Sequence, residues 1–223
     1  LAGVRNGNCT LTGDILVDGR DRHAEYRKMA AYVQQDDCLF STLTVRECIE
    51  YSAVLRLPLS LSMAEKQRLV DKVLIELHLE HIADSKIGTA TARGVSGGER
   101  RRTSIGMELV TSPPILFLDE PTSGLDSFTA NKIVVLAKQL ASHGRIVIMS
   151  IHQPSYKAFL AMDKVLLLAK GQAVYFGSAE GAAESFSAAG FDCPRNENIA
   201  DFMLDIVAES DNHDALRAQY SQK

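Results

Sequence analysis

Two adjacent carboxylates close an apolar run in this sequence, Ile115-Leu116-Phe117-Leu118-Asp119-Glu120. Four apolar residues in a row are what a short buried strand requires, and acids at its end stand at the rim of a sheet. A strand emerging into solvent would account for one acid. It does not account for Pro121-Thr122-Ser123-Gly124-Leu125-Asp126 following at once. Paired carboxylates at the carboxyl end of a strand suit a magnesium–phosphate site, where one helps hold the metal and the other polarises the attacking water. Neighbours on a strand point opposite ways, so Asp119 and Glu120 are expected to serve separate tasks.

A second constellation is Val95-Ser96-Gly97-Gly98-Glu99, which opens a helix expected to run to about Val110. Ser96 and Glu99 have capping-box spacing, so a purely structural helix start is one reading. The two glycines weigh against it, because each costs about 1 kcal/mol relative to Ala inside a helix. Close approach of a phosphate to exposed N–H groups at the positive helix end would explain them. Other candidates carry less. His78 and His81 have helical spacing but no third metal ligand in view. Asp36-Asp37 reads as a turn, and Arg100-Arg101-Arg102 as a solvated helix face.

These residues need a scaffold. Residues 10–17 alternate apolar and polar, and Asp18-Gly19 follows as a turn, giving an edge hairpin strand. Ala30–Val33 reads as a buried strand leading into Gln34-Gln35. Thr44-Val45-Arg46-Glu47 and Ser62-Met63-Ala64-Glu65 are two further capping boxes, so the middle of the chain is expected to be helical. From Ile115 onward strands alternate with helices: a helix carrying Ile133, Val134, Ala137 and Leu140, a short buried strand over 145–150, and a hairpin turning at Lys170-Gly171-Gln172. That order predicts an α/β fold with a mostly parallel sheet covered on both faces. The core is expected over 1–40 and 109–223, with a helical subdomain inserted at about 41–108.

Composition is that of an ordinary globular chain. The 223 residues are 46% hydrophobic and 23% charged, with a formal net charge of -4, so no basic field is available for nucleic acid. Cys9, Cys38, Cys48 and Cys193 are widely spaced without a Cys-x-x-Cys pair, which fits reduced thiols. No apolar run approaches the roughly 20 residues that cross a bilayer.

Taken in order, Ser96-Gly97-Gly98-Glu99, Ile115 to Glu120, Ser123 to Asp126 and His152 resemble the signature motif, Walker B strand, D-loop and switch histidine of ABC-transporter ATPases. Gln35 is similar to the Q-loop glutamine. Arg93-Gly94-Val95-Ser96-Gly97-Gly98-Glu99-Arg100, Ser150-Ile151-His152-Gln153-Pro154-Ser155 and Val174-Tyr175-Phe176-Gly177 resemble the white/eye-pigment (G) subfamily of half-transporters. Asn198-Ile199-Ala200-Asp201-Phe202 resembles its Asn-Pro-Ala-Asp-Phe element, with Ile199 in place of the proline. The resemblance spans nearly the whole chain.

It implies a P-loop NTPase (RecA-like) core with an inserted ABC-type helical subdomain, and ATP and Mg2+ as cofactors. Asp119 and Gln35 would hold the metal, Glu120 would be the general base, and His152 would contact the γ-phosphate. Ser96, Gly97, Gly98 and Glu99 would face ATP held mainly by a second ATP-binding domain, identical or different, and Asp126 would lie across that interface or cap the helix after it. The resemblance further implies a transmembrane domain in the same polypeptide, integral membrane localisation through it, this domain on the cytoplasmic face, and no nucleic acid partner. No Gly-x-x-x-x-Gly-Lys-Ser/Thr occurs, so the phosphate cradle is missing. Leu1-Ala2-Gly3 resembles the end of the helix that normally follows that loop. The expectation is a truncated domain, inactive by itself, with ATP-hydrolysing transport activity in its parent. The alternatives are a naturally loop-less binding module and a soluble ABC ATPase of translation or repair.

Overall fold

A computed structural model describes residues 12–21, 26–89 and 94–209. The expectations for residues 10 and 11, Leu1-Ala2-Gly3, Cys9 and Arg93 fall outside them. The chain divides into two compact units. One holds the described residues up to Leu125 together with 139–150, and the other holds 126–138 together with those from Ile151 onward.

In the first unit, β1 (Leu16–Val17) and β2 (Arg20–Asp21) pair antiparallel across Asp18-Gly19. Both turn residues have positive φ, 51° and 73°, as a tight hairpin with right-handed strand twist requires. After α1 (Tyr26–Met29), β3 (Ala30–Val33), β4 (Ile115–Leu118) and β5 (Ile146–Met149) form a parallel sheet in the order β3-β4-β5. Val33, Leu118 and Met149 are in register, so the three strands end together on one rim. All four residues of β4 are buried, as expected of a central strand. The expectation for β5 needs correction. Ile146 and Ile148 are exposed, so one face of β5 is left uncovered among the described residues.

The helical segment forms α2 (Val45–Arg56), α3 (Met63–Glu76), a 3-10 turn at Glu80–Ile82 and α4 (Gly97–Leu109). All three expected capping boxes are present, with the N3 glutamate reaching back to the cap in each. α4 lies close against α2 and α3 because Gly106 has no side chain: a Cβ there would stand 2.9 Å from Ile49 and 3.0 Å from Leu77. Ser52 donates to the Met107 carbonyl at 2.6 Å, and Arg56 forks onto Glu108 at 2.8 and 2.9 Å. Glu76, at the end of α3, accepts from Arg145 just ahead of β5 and lies 3.2 Å from His143, which ties the helical layer to the sheet.

The greater part of α5 (Ser127–Ser142) belongs to the second unit and its end, from Gln139, to the first; the second unit continues with α6 (Tyr156–Leu160), β6 (Val165–Ala169), β7 (Gln172–Gly177), α7 (Ala182–Ala188) and α8 (Ile199–Ala208). β6 and β7 form the expected antiparallel hairpin, turning on Lys170 (φ 48°) and Gly171 (φ 77°). Leu166 and Leu168 of β6 are exposed, whereas Val174 and Tyr175 of β7 join a core with Phe186, Phe202 and Met203. Phe186 sits edge-on between Tyr175 and Phe202, with ring centroids 6.3 Å away in each pair. Among the described residues no helix is long and apolar enough to cross a membrane.

Candidate functional site

The common rim of β3, β4 and β5 gathers polar side chains around Asp119. Its Oδ2 accepts a short hydrogen bond from the Tyr32 hydroxyl, and its Oδ1 accepts one from Ser150 Oγ at 2.7 Å. Ser150 Oγ in turn accepts from the Glu120 backbone N–H at 2.8 Å, so one hydroxyl holds both acids in place. Glu120 Oε2 accepts from Gln35 Nε2 at 2.7 Å. Asp119 and Glu120 are half-buried and Gln35 is exposed, so the cluster faces solvent on one side.

The separation of tasks between the two acids does not come from strand alternation. β4 ends at Leu118, and Glu120 has φ 41°, the left-handed region that a glutamate rarely adopts. Such a conformation costs about 1–3 kcal/mol and persists only where surrounding contacts impose it. Here the Ser150–Glu120 and Gln35–Glu120 hydrogen bonds impose it.

Hydrogen bonds first from Tyr32 and then from Ser150 hold the Asp119 carboxyl below the usual aspartate range. The same pairing raises the Tyr32 hydroxyl above its ordinary value, burial and the Asp119 charge adding to it. A depressed carboxyl contributes stability that is fully present above the unfolded value of about 3.9. It is lost as pH falls through the lower folded value. Tyr32→Phe should therefore move the Asp119 midpoint upward, so that this stability is lost at a higher pH. A 13C titration of the Asp119 carboxyl reads it, and an unmoved midpoint would remove Tyr32 as the cause.

Ser96 caps α4. Its backbone N–H and hydroxyl both donate to Glu99 Oε2, at 2.7 and 2.8 Å, and its Oγ accepts from the Glu99 N–H at 3.3 Å. Burial pushes the Glu99 carboxyl up, but these bonds, with Arg102 and His81 nearby, bring it below its ordinary value. Gly97 is exposed and Gly98 buried. Gly97 has a packing reason as well, since a Cβ there would stand 3.1 Å from Leu125 Cδ2. His81 Nε2 lies 3.9 Å from Glu99, and the described residues contain no cluster able to hold a metal through His, Cys, Asp and Glu together.

Asp126 and His152 belong to the second unit. Asp126 Oδ1 accepts from the N–H groups of Phe128 and Thr129 at 3.1 and 3.0 Å, which is the helix-capping alternative, and the Thr129 side-chain hydrogen bond together with these backbone bonds keeps its carboxyl low. His152 is exposed on the loop after β5. That loop is anchored two residues on. Asn198 Nδ2 donates to the Pro154 carbonyl at 3.0 Å, while Asn198 Oδ1 caps α8 by accepting from Ala200 N–H at 3.2 Å. Ile199 occupies the first helical position, which favours proline without requiring it, so its replacement leaves the cap intact. Asn198→Ala should cost about 0.5–2 kcal/mol in urea unfolding, the usual value of an N-cap. No change would show that the cap is idle.

Oxygen donors dominate the first-unit rim, as a hard cation such as Mg2+ prefers. Gln35 spends its amide nitrogen on Glu120, leaving Oε1 as an acceptor, and each Asp119 oxygen receives one hydroxyl and keeps a lone pair. The residues present fit the metal side of a nucleotide site.

The α/β fold, a parallel sheet with helices and with acids on its carboxyl rim, is that of a P-loop NTPase. The fold is similar to a solved structure, "Structure of cbiO1 from clostridium perfringens: Part of the ABC transporter complex cbiONQ", with TM-score 0.66 and 25% identity over 80% of this chain and 71% of that one. Residues 4–123, more than half of the chain, match the family described as ABC transporter, and residues 152–220 match ABC-2 type transporter. The chain belongs to the ABC transporter family. Its relatives place it with the G subfamily. It is 50% identical over 197 residues to the broad substrate specificity ATP-binding cassette transporter ABCG2 of Mus musculus, covering 88% of this chain and 30% of that protein. It is 47% identical over 207 residues to ABC transporter G family member 13 of Arabidopsis thaliana, covering 93% and 30%. The chain thus spans about a third of the length of these relatives.

Proposed function

We propose that this chain is the larger part of the ATP-binding domain of a half-transporter, whose full-length protein couples ATP hydrolysis to movement of a substrate across a membrane. The observation that carries this reading is the Asp119–Glu120 pair at the β4 rim, oriented by Tyr32, Ser150 and Gln35, in a chain of this family.

Asp119 and Gln35 would hold Mg2+, which when bound would neutralise charge on the phosphates. Glu120 orients the attacking water and takes its proton, while Gln35 fixes the carboxylate that does so. His152 holds the γ-phosphate from its anchored loop. Ser96, Gly97, Gly98 and Glu99 offer the start of α4 to nucleotide held by a second ATP-binding domain, and Asp126 lies at that junction. A transmembrane domain in the same polypeptide makes the protein integral to a membrane, with this domain on the cytoplasmic side and residues 41–108 as its helical subdomain.

The test is magnesium-dependent ATP hydrolysis by the purified full-length protein, with this chain alone inactive. Hydrolysis by residues 1–223 alone would overturn the assignment of the missing phosphate cradle.

A further inference from the structure

The Arg100-Arg101-Arg102 run is not a solvated face. Arg101 is 5% exposed, one of the few charged residues buried among those described. From α4 its guanidinium donates to two consecutive main-chain carbonyls 67 and 66 residues earlier in the chain, Gln34 O at 2.9 Å and Gln35 O at 2.6 Å. The Asp37 carboxylate stands 3.0 Å from the same group as an ion pair. Arg100 makes its hydrogen bonds elsewhere, donating to the Ile87 and Gly88 carbonyls.

We propose that Arg101 is a positioning residue for the hydrolytic site, fixing the Gln35 main chain to α4 so that the Gln35 amide meets Glu120. The path is continuous: Arg101 Nη2 to Gln35 O at 2.6 Å, then Gln35 Nε2 to Glu120 Oε2 at 2.7 Å. Gln35 is exposed and lies beyond the end of β3, so no sheet ladder holds its carbonyl. A buried guanidinium is chemically suited to the task. Its planar fork reaches two carbonyls in fixed geometry, whereas a lysine ammonium is a single point charge. Because Ser96 caps the same helix five residues before Arg101, the signature end of α4 and the Gln35 carbonyl are linked through that helix. The start of α4 and the water-activating carboxylate are thereby joined through two side chains.

The inference rests on the proposed ATPase activity, and the test separates the two. Arg101→Lys and Arg101→Met are compared with wild type in the full-length protein, by ATP kinetics and by backbone hydrogen exchange over residues 34–38. The expected result in both variants is a fall in kcat of about 10²-fold, the effect of a misplacement near 1 Å. The KM for ATP should stay near wild type. Exchange over 34–38 should accelerate while α2 and α3 exchange as before. Should Arg101→Met fail to fold, Arg101→Lys, which keeps the charge, decides alone. Wild-type kcat in Arg101→Lys, unaltered exchange over 34–38, or acceleration spread evenly over α2, α3 and α4 would each overturn the proposal. A wild-type protein without ATPase activity would instead sink the functional reading, while the exchange result would still judge the Arg101 contact.

Discussion

Glu120→Gln in the full-length protein should lower steady-state ATP hydrolysis by about 10²–10⁴-fold, the usual contribution of a general base. The substitution is close to isosteric, and the Gln35 Nε2 that now donates to Glu120 Oε2 at 2.7 Å would find an amide oxygen in the same place. The main-chain bond from residue 120 to Ser150 does not involve the side chain and is kept. The loss is therefore of proton acceptance rather than of geometry, and ATP binding should persist. Measuring kcat beside equilibrium nucleotide binding distinguishes these outcomes. Undiminished turnover would take Glu120 out of the reaction, and equal loss of binding and turnover would make its role positional.

Local rules made much of this chain readable. The three capping boxes, at Thr44, Ser62 and Ser96, depend on residues three positions apart, and all three are formed. Both tight turns, Asp18-Gly19 and Lys170-Gly171, are legible because positive φ restricts which residues fit. What stayed hidden depends on pairing across the sheet. Tyr32 and Ser150 lie 87 and 31 residues from Asp119, and neither type in isolation suggests an active site. A signal existed nonetheless. With Leu118 and Met149 in parallel register, Ser150 necessarily falls beside Asp119, so pairing of β4 with β5 would have found it.

Arg101 was illegible for a different reason. A run of three arginines on a helix is usually solvated, and charge pattern carries no information about a main-chain loop folding over one of them. The same holds for Asp37, which reads as a turn residue yet faces the Arg101 guanidinium. Burial raises the Asp37 carboxyl above its ordinary value against the opposing pull of Arg101 and Arg100, which marks how far this pair is withdrawn from water. β5 misled in the opposite direction. Its apolar run suggests burial on both faces, but Ile146 and Ile148, which share one face of the strand, are exposed.

Phe186→Ala should cost about 3–5 kcal/mol in urea unfolding, as truncation of a fully buried aromatic ring does. The ring is 1% exposed and meets Tyr175 and Phe202 edge-on, geometry that adds about 0.5–1.5 kcal/mol per pair beyond area burial. Set against a total near 5–15 kcal/mol for a domain, that is a large fraction of what keeps the second unit folded. The consequence reaches the histidine loop through α8. Phe202 sits on the helix that Asn198 caps, and the same Asn198 grips the Pro154 carbonyl two residues beyond His152. Loosening α8 should therefore speed hydrogen exchange over residues 152–155 as well as within the helix. A change within about 0.5 kcal/mol, the range of surface substitutions, would mean that the ring is not a core element. Slowed turnover without faster exchange would mean that α8 does not hold the histidine loop.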